Sequence, residues 1–230
     1  KLANTICYEE LISDESEDFH WPEFDENTAS SLCYTSGTTG NPKGVLYSHR
    51  STILHAWIVS SGNVAKVSSS SCILPVVPMF HVNAWGIPYA GAMFGAKLVF
   101  PGPSLDGASI YELIDNEKPD LLMGVPTVWL GLLQHLRETN QTLDCVETAL
   151  VGGSAAPRAM IQEFEEEHDV FLMHGWGMTE MSPLGTATSR TKEMDTLDLE
   201  KRYDLQQKQG KAFFGVDMTI ADDDGNELPH

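Results

Sequence analysis

The segment best suited to hold a phosphate group spans residues 34–44 and has the sequence YTSGTTGNPKG. Its glycines let the backbone approach a ligand closely and adopt positive φ angles. Serine and threonine hydroxyls lie between the glycines, backbone N–H groups can form a nest for an anion, and Lys43 adds a positive charge. This composition predicts a phosphate-binding loop, the alternative being a flexible surface loop. It does not match the Walker A pattern, because Gly44 follows the lysine where that pattern requires Ser or Thr.

A second polar segment, residues 174–183 with the sequence HGWGMTEMSP, could hold a metal ion beside a nucleotide. Mg²⁺ usually takes one or two protein carboxylates and completes its shell with phosphate oxygens and water. Glu180 is therefore a candidate magnesium ligand, and Thr179 supplies a hydroxyl that can donate to a phosphate. Trp176 offers a flat face on which a purine can stack. Taken alone, a Thr-Glu pair is also typical of a helix cap.

His81 and Trp85 lie four residues apart in the sequence PMFHVNAW at residues 78–85, and the residue types alone leave their roles open. If this stretch is one helical turn, the spacing of four residues places both side chains on the same face. Isolated residues of these types are often a satisfied buried histidine and a core tryptophan, so that alternative stays open. Further histidines show no spacing with cysteines or carboxylates that is typical of a transition-metal site: His20, His49, His55, His135 and His168.

The elements that must position these segments are short apolar runs alternating with helical patterns. Strands are predicted at residues 31–35, 71–74, 97–100, 120–123, 146–151 and 170–173. Helices are predicted at residues 48–60 with Ser48 as the N-cap, around residues 110–114 and 128–136, and from Pro157 to Glu167. Such alternation predicts an α/β domain of largely parallel strands flanked by helices, over residues 28–190.

The pattern changes after residue 185. Strands are predicted at residues 211–214 and 217–221, followed by a hairpin turn at residues 222–226. Residues 205–230 are therefore expected to begin a β subdomain. Because a further strand should follow that turn, the 230 residues are expected to be a fragment of a longer chain.

Composition narrows the class of partner. The formal net charge is −19, which makes nucleic acid an unsuitable partner, because phosphate backbones bind to basic surfaces. The sequence contains no apolar run of about 20 residues and no signal-peptide pattern, so a cytoplasmic protein without a transmembrane segment is expected. The four cysteines lack CxxC spacing, which fits a reducing compartment.

Four segments, in this order along the chain, resemble motifs of the acyl-adenylate-forming superfamily, which includes acyl-CoA synthetases, luciferases and peptide-synthetase adenylation domains. Residues 34–44 resemble its phosphate loop, and residues 78–85 its Pro-x-Phe-His motif near the acyl pocket. Residues 152–157, GGSAAP, resemble its adenine-flanking turn, and residues 174–183 its aromatic-Gly-x-Thr-Glu motif. The family commonly has Tyr where this chain has Trp176, and either ring can stack. The resemblance covers nearly all of residues 28–230.

The resemblance implies part of the large N-terminal domain of a fatty-acyl-CoA synthetase. Such an enzyme uses ATP and Mg²⁺ to convert a fatty acid to acyl-AMP, then transfers the acyl group to coenzyme A. It implies catalytic roles for Lys43, Thr179 and Glu180, with Glu180 on magnesium, and an acyl pocket at His81, Val82 and Trp85, with Trp85 as a gate. The implied nucleotide-binding residues are Thr35, Ser36, Gly37, Thr38, Thr39, Gly40, Lys43, Gly153, Ser154, Ala155, His174, Gly175, Trp176, Gly177, Met178 and Thr179.

Several alternatives remain at the level of sequence. Amino-acid-activating relatives carry Phe-Asp where this chain has Phe80-His81, which disfavours an amino-acid substrate, and an aryl acid stays open. A nucleotide-binding pseudoenzyme or regulatory module is disfavoured by the intact Lys43 and Glu180, and a P-loop phosphotransferase by the missing Walker A pattern. The family's ribose-binding Asp, the Arg after it and the C-terminal Lys fall outside these residues. The isolated chain is therefore expected to be inactive, and its parent protein could be a homodimer.

Overall fold

The computed structural model describes residues 5–35 and 40–229. Within them the strands are β1 Ala29–Tyr34, β2 Gly44–Ser48, β3 Cys72–Val76, β4 Lys97–Leu98, β5 Leu121–Gly124, β6 Thr148–Val151, β7 Phe171–Gly177, β8 Leu184–Ala187 and β9 Lys211–Ala212. The helices are α1 Tyr8–Ile12, α2 His49–Val59, α3 Val82–Trp85, α4 Ile87–Phe94, α5 Gly107–Glu117, α6 Pro126–Thr139, α7 Arg158–His168 and α8 Leu199–Gln206.

The main sheet has the strand order β4-β3-β5-β6-β7-β8-β9. Its first five strands run parallel, and β8 and β9 are antiparallel additions at one edge. The chain passes from β3 to β4 on one side of β3 and then returns to β5 on the other side. Such a reversal creates a crevice at the carboxyl ends of the strands, where ligands commonly bind in α/β sheets. The predicted α/β class is confirmed.

Alternation along the strands builds a three-layer core, because successive side chains point to opposite faces of a sheet. On one face, Leu74, Leu122 and Leu172 belong to an apolar cluster completed by α5, α6, α7 and α8. On the other face, Ile73 and Met123 belong to a cluster completed by α2 and α4. Both faces of the parallel strands are therefore covered, as is usual for parallel sheets.

The phosphate-loop region forms a separate antiparallel hairpin of β1 and β2. The predicted strand at 31–35 is present as β1, whereas β2 was not predicted, because its five residues lead directly into a helix. That helix is α2, and Ser48 caps it as expected. The Ser48 hydroxyl accepts from the Ser51 backbone N–H, and the Ser51 hydroxyl accepts from the Ser48 N–H, which completes a reciprocal capping box.

The turn that carries Trp85 differs from the predicted right-handed turn. Residues 82–85 have φ between 47° and 56°, and Gly86 follows at 72°. These values define a left-handed turn, which L-residues rarely adopt in succession. A right-handed helix, α4, begins only at Ile87. The condition under which His81 and Trp85 would share one helical face is therefore not met, although both side chains line the same cavity.

The C-terminal region contains less strand than predicted. β9 covers only Lys211–Ala212, and residues 217–221 form no strand apart from a bridge between Ala221 and Glu227. Residues 217–229 are exposed throughout, and among residues 5–35 and 40–229 no sheet pairs with them. The predicted hairpin turn is present, since the Asp222 N–H donates to the Asn226 carbonyl at 3.0 Å. None of the helices described is long and apolar enough to cross a bilayer.

Candidate active site

A cavity of about 780 Å³ lies over the carboxyl ends of β3, β5, β6 and β7. Segments that are far apart in sequence line it together: the ends of the β1–β2 hairpin, the turn after β3, the glycines after β6, and the end of β7 with the loop that follows. Polar or charged lining residues include Thr35, Asn41, Lys43, His55, His81, Thr179 and Glu180, and apolar ones include Leu32, Val59, Phe80, Val82, Trp85, Met123, Leu150 and Trp176.

The β1–β2 hairpin brings the two ends of the phosphate loop together. The Thr35 N–H donates to the Lys43 carbonyl at 2.9 Å, and the Lys43 N–H donates to Thr35 Oγ1 at 3.3 Å. Thr35, Gly40 and Lys43 all line the cavity, and Lys43 is exposed. The predicted phosphate ligands Ser36, Gly37, Thr38 and Thr39 lie outside the described residues.

Thr179 and Glu180 begin a 3₁₀ turn, Thr179–Met181, directly after β7, and both line the cavity. The Tyr47 Oη on β2 donates a hydrogen bond to the Thr179 carbonyl at 2.6 Å. Burial raises the pKa of Tyr47, and the charges of Cys33 and Glu180 raise it further, so the phenol keeps the proton that it donates. This contact ties the loop that carries Glu180 to the strand that follows the phosphate loop.

The donor set around Glu180 fits Mg²⁺. Glu180 is an exposed carboxylate at the cavity, beside the Thr179 hydroxyl. Across residues 5–35 and 40–229, no group of three or more His, Cys, Asp or Glu side chains is placed to hold a metal. A single carboxylate suits an ion that keeps phosphate and water ligands, and a fully protein-bound metal would need more protein donors.

On the predicted adenine side, Gly152 and Gly153 follow β6, and Trp176 lies near the end of β7. The Trp176 indole packs on β8, where a Cβ added to Gly185 would lie 2.7 Å from two indole carbons. Glycine is required at position 177, because a Cβ added there would lie 2.0 Å from the Pro183 carbonyl oxygen. Gly175, Gly177 and Met178, which the resemblance implies as nucleotide-binding residues, also line the cavity.

Three predicted nucleotide-binding residues do not line the cavity: Ser154, Ala155 and His174. His174 is 1% exposed, and its Nδ1 donates to the Gln207 carbonyl at 3.0 Å. Its Nε2 has no hydrogen-bond partner among the described residues. Burial lowers the pKa of His174, so the ring is neutral at neutral pH. His174 supports the strand beneath the adenine-flanking turn and does not face the open space.

On the predicted acyl side, His81 is exposed, Val82 is buried and Trp85 is half-buried, and all three line the cavity. The Trp85 indole lies against the end of β6, since a Cβ on Gly152 would lie 3.2 Å from Trp85 Cη2. Trp85 therefore lies between the cavity and the core cluster that contains Met123 and Leu150.

The residues that form the inner walls of the acyl side of the cavity were not predicted from the sequence. They are formed by Val59 on α2, Met123 on β5 and Leu150 on β6, all of which are buried. His55 on α2 also lines the cavity. A polar residue inside the apolar run ILHAWIV was the available signal for His55. Met123 and Leu150 could be assigned only once the sheet order was known.

One protein family matches nearly the whole of this chain. The family described as "AMP-binding enzyme" matches residues 2–230. The chain belongs to the AMP-binding enzyme family. The predicted resemblance to adenylate-forming enzymes is thereby confirmed, and the motifs that carry it are those that meet at the cavity.

Curated relatives of this AMP-binding enzyme chain include CoA ligases. The 3-methylmercaptopropionyl-CoA ligase of Ruegeria lacuscaerulensis is 53% identical over 223 residues, which cover 97% of this chain and 41% of that protein. The medium-chain-fatty-acid–CoA ligase of Ectopseudomonas oleovorans is 49% identical over 229 residues, which cover 100% of this chain and 42% of that protein. The chain thus spans about two fifths of the length of these relatives.

Among solved structures, the inhibitor-bound N-terminal domain of FACL13 from Mycobacterium tuberculosis matches with a TM-score of 0.80 and 26% sequence identity. The match covers 96% of this chain and 52% of that chain. The predicted fold, part of the N-terminal domain of an adenylate-forming enzyme, is therefore confirmed.

Proposed function

We propose that this chain forms the centre of a full-length, ATP-dependent acid–thiol ligase that converts a fatty acid to acyl-AMP and then to acyl-CoA. One observation carries the proposal. A single cavity is lined both by Lys43, Thr179 and Glu180 and by the apolar side chains of Val82, Trp85 and Leu150. A site of this kind suits a substrate with an anionic head and an apolar chain, and it brings that head to a nucleotide.

The arrangement of polarity supports this assignment. Lys43 and Glu180 line the cavity and are exposed, whereas Val59, Met123 and Leu150 line it and are buried. Transfer of an alkyl chain from water to such a wall is favourable by about 0.8 kcal/mol for each buried CH₂ group. The carboxylate would remain at the mouth, where the charged groups lie.

In the first half-reaction, a carboxylate oxygen of the acid attacks the α-phosphorus of ATP, the bond to the bridging oxygen breaks, and pyrophosphate leaves. The acid arrives ionised, so the step needs no general base. The main obstacle is repulsion between two anions, which Lys43 and the backbone of the phosphate loop would reduce. Mg²⁺ held by Glu180 would add charge neutralisation at the phosphates when bound. Trp176 would stack on the adenine, and the Gly152–Gly153 turn would let the purine approach the backbone.

In the second half-reaction, the coenzyme A thiol takes the acyl group and AMP leaves. Positioning of the acyl carbonyl at the end of the apolar pocket is what this chain would contribute. His81, exposed at the cavity near the predicted carboxylate position, would orient the acid without acting as a base.

A short thioether acid is the second candidate substrate. The relative with 53% identity is named a 3-methylmercaptopropionyl-CoA ligase, and the relative with 49% identity is named a medium-chain-fatty-acid–CoA ligase. Both acids have a flexible apolar chain, which the pocket walls suit. We favour the fatty acid because the buried side chains of Val59, Met123 and Leu150 line the same cavity and suit a longer alkyl chain.

The test is pyrophosphate release from ATP by the full-length ligase, measured with butyrate, octanoate, palmitate, 3-methylthiopropionate, benzoate and leucine. We expect release that depends on the acid, with the highest kcat/KM for a fatty acid and none for leucine. A maximum for 3-methylthiopropionate would favour the second candidate. Nucleotide binding with no release for any acid would indicate a pseudoenzyme, and release of ADP and phosphate would indicate a phosphotransferase. Either of these last two results would overturn the proposal.

A further inference from the structure

His55 makes a buried contact with the backbone of the turn that carries Trp85. It lies on α2, is 6% exposed, and its Nε2 is 2.9 Å from the Trp85 carbonyl oxygen. A carbonyl oxygen only accepts hydrogen bonds, so Nε2 must carry the proton and donate it. Burial lowers the pKa of His55, which keeps the ring neutral at neutral pH.

The His55 ring also fills the space above Gly86. A Cβ on Gly86 would lie 2.3 Å from His55 Cδ2 and 2.5 Å from its Nε2, and Gly86 has φ +72°. Only glycine therefore fits beneath this ring. The histidine and the glycine together define how closely the turn approaches α2.

The turn itself is intrinsically unfavourable and depends on tertiary contacts. Val82, Asn83, Ala84 and Trp85 all have positive φ, a conformation that costs free energy at each non-glycine residue. At one end, the Asn83 amide donates to Ser31 Oγ at 2.8 Å. At the other end, the His55 ring holds the Trp85 carbonyl. Each contact fixes one end of the turn, and the contact at His55 is the one next to the indole.

The indole of Trp85 extends from this turn into the cavity and against Gly152. A shift of the Trp85 backbone would therefore move the indole relative to the β6 wall, and with it the space open to an acyl chain. His55 itself lines the same cavity between the turn and Val59 on its own helix.

We propose that His55 is a positioning residue that sets which acids the site accepts, by holding the Trp85 carbonyl and thereby fixing the indole against Gly152. This inference rests on the proposed acid-binding function of the cavity. It differs from a purely structural role, because it requires that loss of the hydrogen bond change the relative use of short and long acids.

Two variants separate the hydrogen bond from the volume of the ring. His55→Gln retains an N–H that can reach the Trp85 carbonyl, and His55→Phe retains a ring over Gly86 but has no donor. His135→Phe serves as the matched control, since His135 is a half-buried helical histidine that does not line the cavity. In the full-length ligase, kcat/KM is measured for butyrate, octanoate and palmitate, with a melting curve for each variant.

His55→Phe should change the octanoate-to-butyrate ratio of kcat/KM by at least about 10-fold, the discrimination that one methylene carries in an apolar pocket. His55→Gln should restore the ratio to within about 3-fold of the unsubstituted ligase, and His135→Phe should leave it unchanged. A uniform loss for all acids, an unchanged ratio in His55→Phe, or a His55→Gln variant as altered as His55→Phe would overturn the proposal.

A second measurement does not depend on turnover, so it separates failure of this inference from failure of the proposed function. The protein is labelled with 5-fluorotryptophan, and the ¹⁹F resonance of Trp85 is assigned by its loss in Trp85→Phe. His55→Phe should broaden or split that resonance, whereas His55→Gln should keep one line. A single sharp line at the unsubstituted position in His55→Phe would contradict the positioning role even if no acid were activated.

Discussion

The phenol of Tyr47 and the backbone of Thr179 are joined by a hydrogen bond of 2.6 Å across 132 positions of sequence. Tyr47 lies on β2, three residues beyond the end of the phosphate loop, and Thr179 is adjacent to the candidate magnesium ligand. The bond therefore fixes the distance between the side of the cavity that would bind phosphate and the side that would bind metal. Neither residue type, nor any spacing in the sequence, predicts this pairing.

Removing this bond should weaken the use of Mg-ATP. Tyr47→Phe deletes only the hydroxyl, and a bond of this kind contributes about 1 kcal/mol net. If the full-length protein is the proposed ligase, we expect its kcat/KM for ATP to fall about 5-fold, with the preference among acids unchanged. Tyr8→Phe, at an exposed tyrosine on α1, is the control. A loss confined to the acid substrate would show that Tyr47 supports a different part of the cavity.

Glu180→Ala should reduce adenylation by about 10- to 1,000-fold, the range expected for one electrostatic stabiliser. Part of the loss should be recovered at high Mg²⁺. Lys43→Ala should have a smaller effect, because the backbone of the loop would still bind phosphate. Glu193→Gln, which changes an exposed carboxylate away from the cavity, is the control. Full activity of Glu180→Ala at limiting Mg²⁺ would rule out the metal role.

Trp85→Ala should alter the chain-length profile with little loss of stability, because Trp85 is half-buried and faces the cavity. Trp129→Ala is the comparison variant, because it removes a tryptophan that belongs to the core. Trp129 is fully buried, and its Nε1 donates to the Leu150 carbonyl at 3.2 Å. Its truncation should cost about 3–5 kcal/mol of unfolding free energy and reduce activity on every acid alike. A large drop in melting temperature with a uniform loss of activity in Trp85→Ala would make Trp85 a core residue.

Stability should decline as the pH falls below about 6.5, the unperturbed pKa of histidine. Burial lowers the pKa of His174 in the folded state, so the unfolded chain binds the proton more tightly. The full stability is therefore present above that pH and is lost as the pH decreases. His174→Asn keeps a donor for the Gln207 carbonyl but cannot titrate, so its urea-unfolding midpoint should vary less between pH 7.5 and 5. His20→Asn, at an exposed histidine, is the control. Parallel pH curves for His174→Asn and the unsubstituted protein would refute this account.

The central layers of the fold could be predicted because their signals are local. The buried run at residues 121–124 and the apolar spacing in α6 each specify an element without reference to the rest of the chain. The Ser48 cap was predictable for the same reason. What could not be predicted depends on partners distant in sequence. The left-handed turn at residues 82–85 is held through contacts with Ser31 and His55. Residues 217–221 have a strand pattern but pair with no sheet in the part of the chain that the structure describes.

The motifs of the candidate site could be predicted from the sequence, but which of their side chains line the cavity could not. Lys43, Trp176 and Glu180 line one cavity as expected, whereas His174 is buried beneath it. His174 is the first residue of the motif at residues 174–183, which predicted that it would contact the nucleotide. Because side chains alternate along β7 and the His174 ring contacts Gln207, this side chain points away from the cavity. His55 and Leu150 were missed because each reaches the cavity only through the packing of a second element. Tyr47 was missed because it acts on the site only through its hydrogen bond to the Thr179 carbonyl.

Mass spectrometry can detect acyl-AMP, the intermediate that distinguishes the proposed reaction. The full-length ligase is incubated with ATP, Mg²⁺ and octanoate in the absence of coenzyme A, alongside Glu180→Ala. We expect octanoyl-AMP to accumulate to about one equivalent per active site. It should disappear on addition of coenzyme A as octanoyl-CoA forms. In Glu180→Ala, the amount of octanoyl-AMP should be strongly reduced. Formation of ADP, or of octanoyl-CoA without any acyl-AMP that can be trapped, would contradict a cavity that joins a nucleotide to an acid.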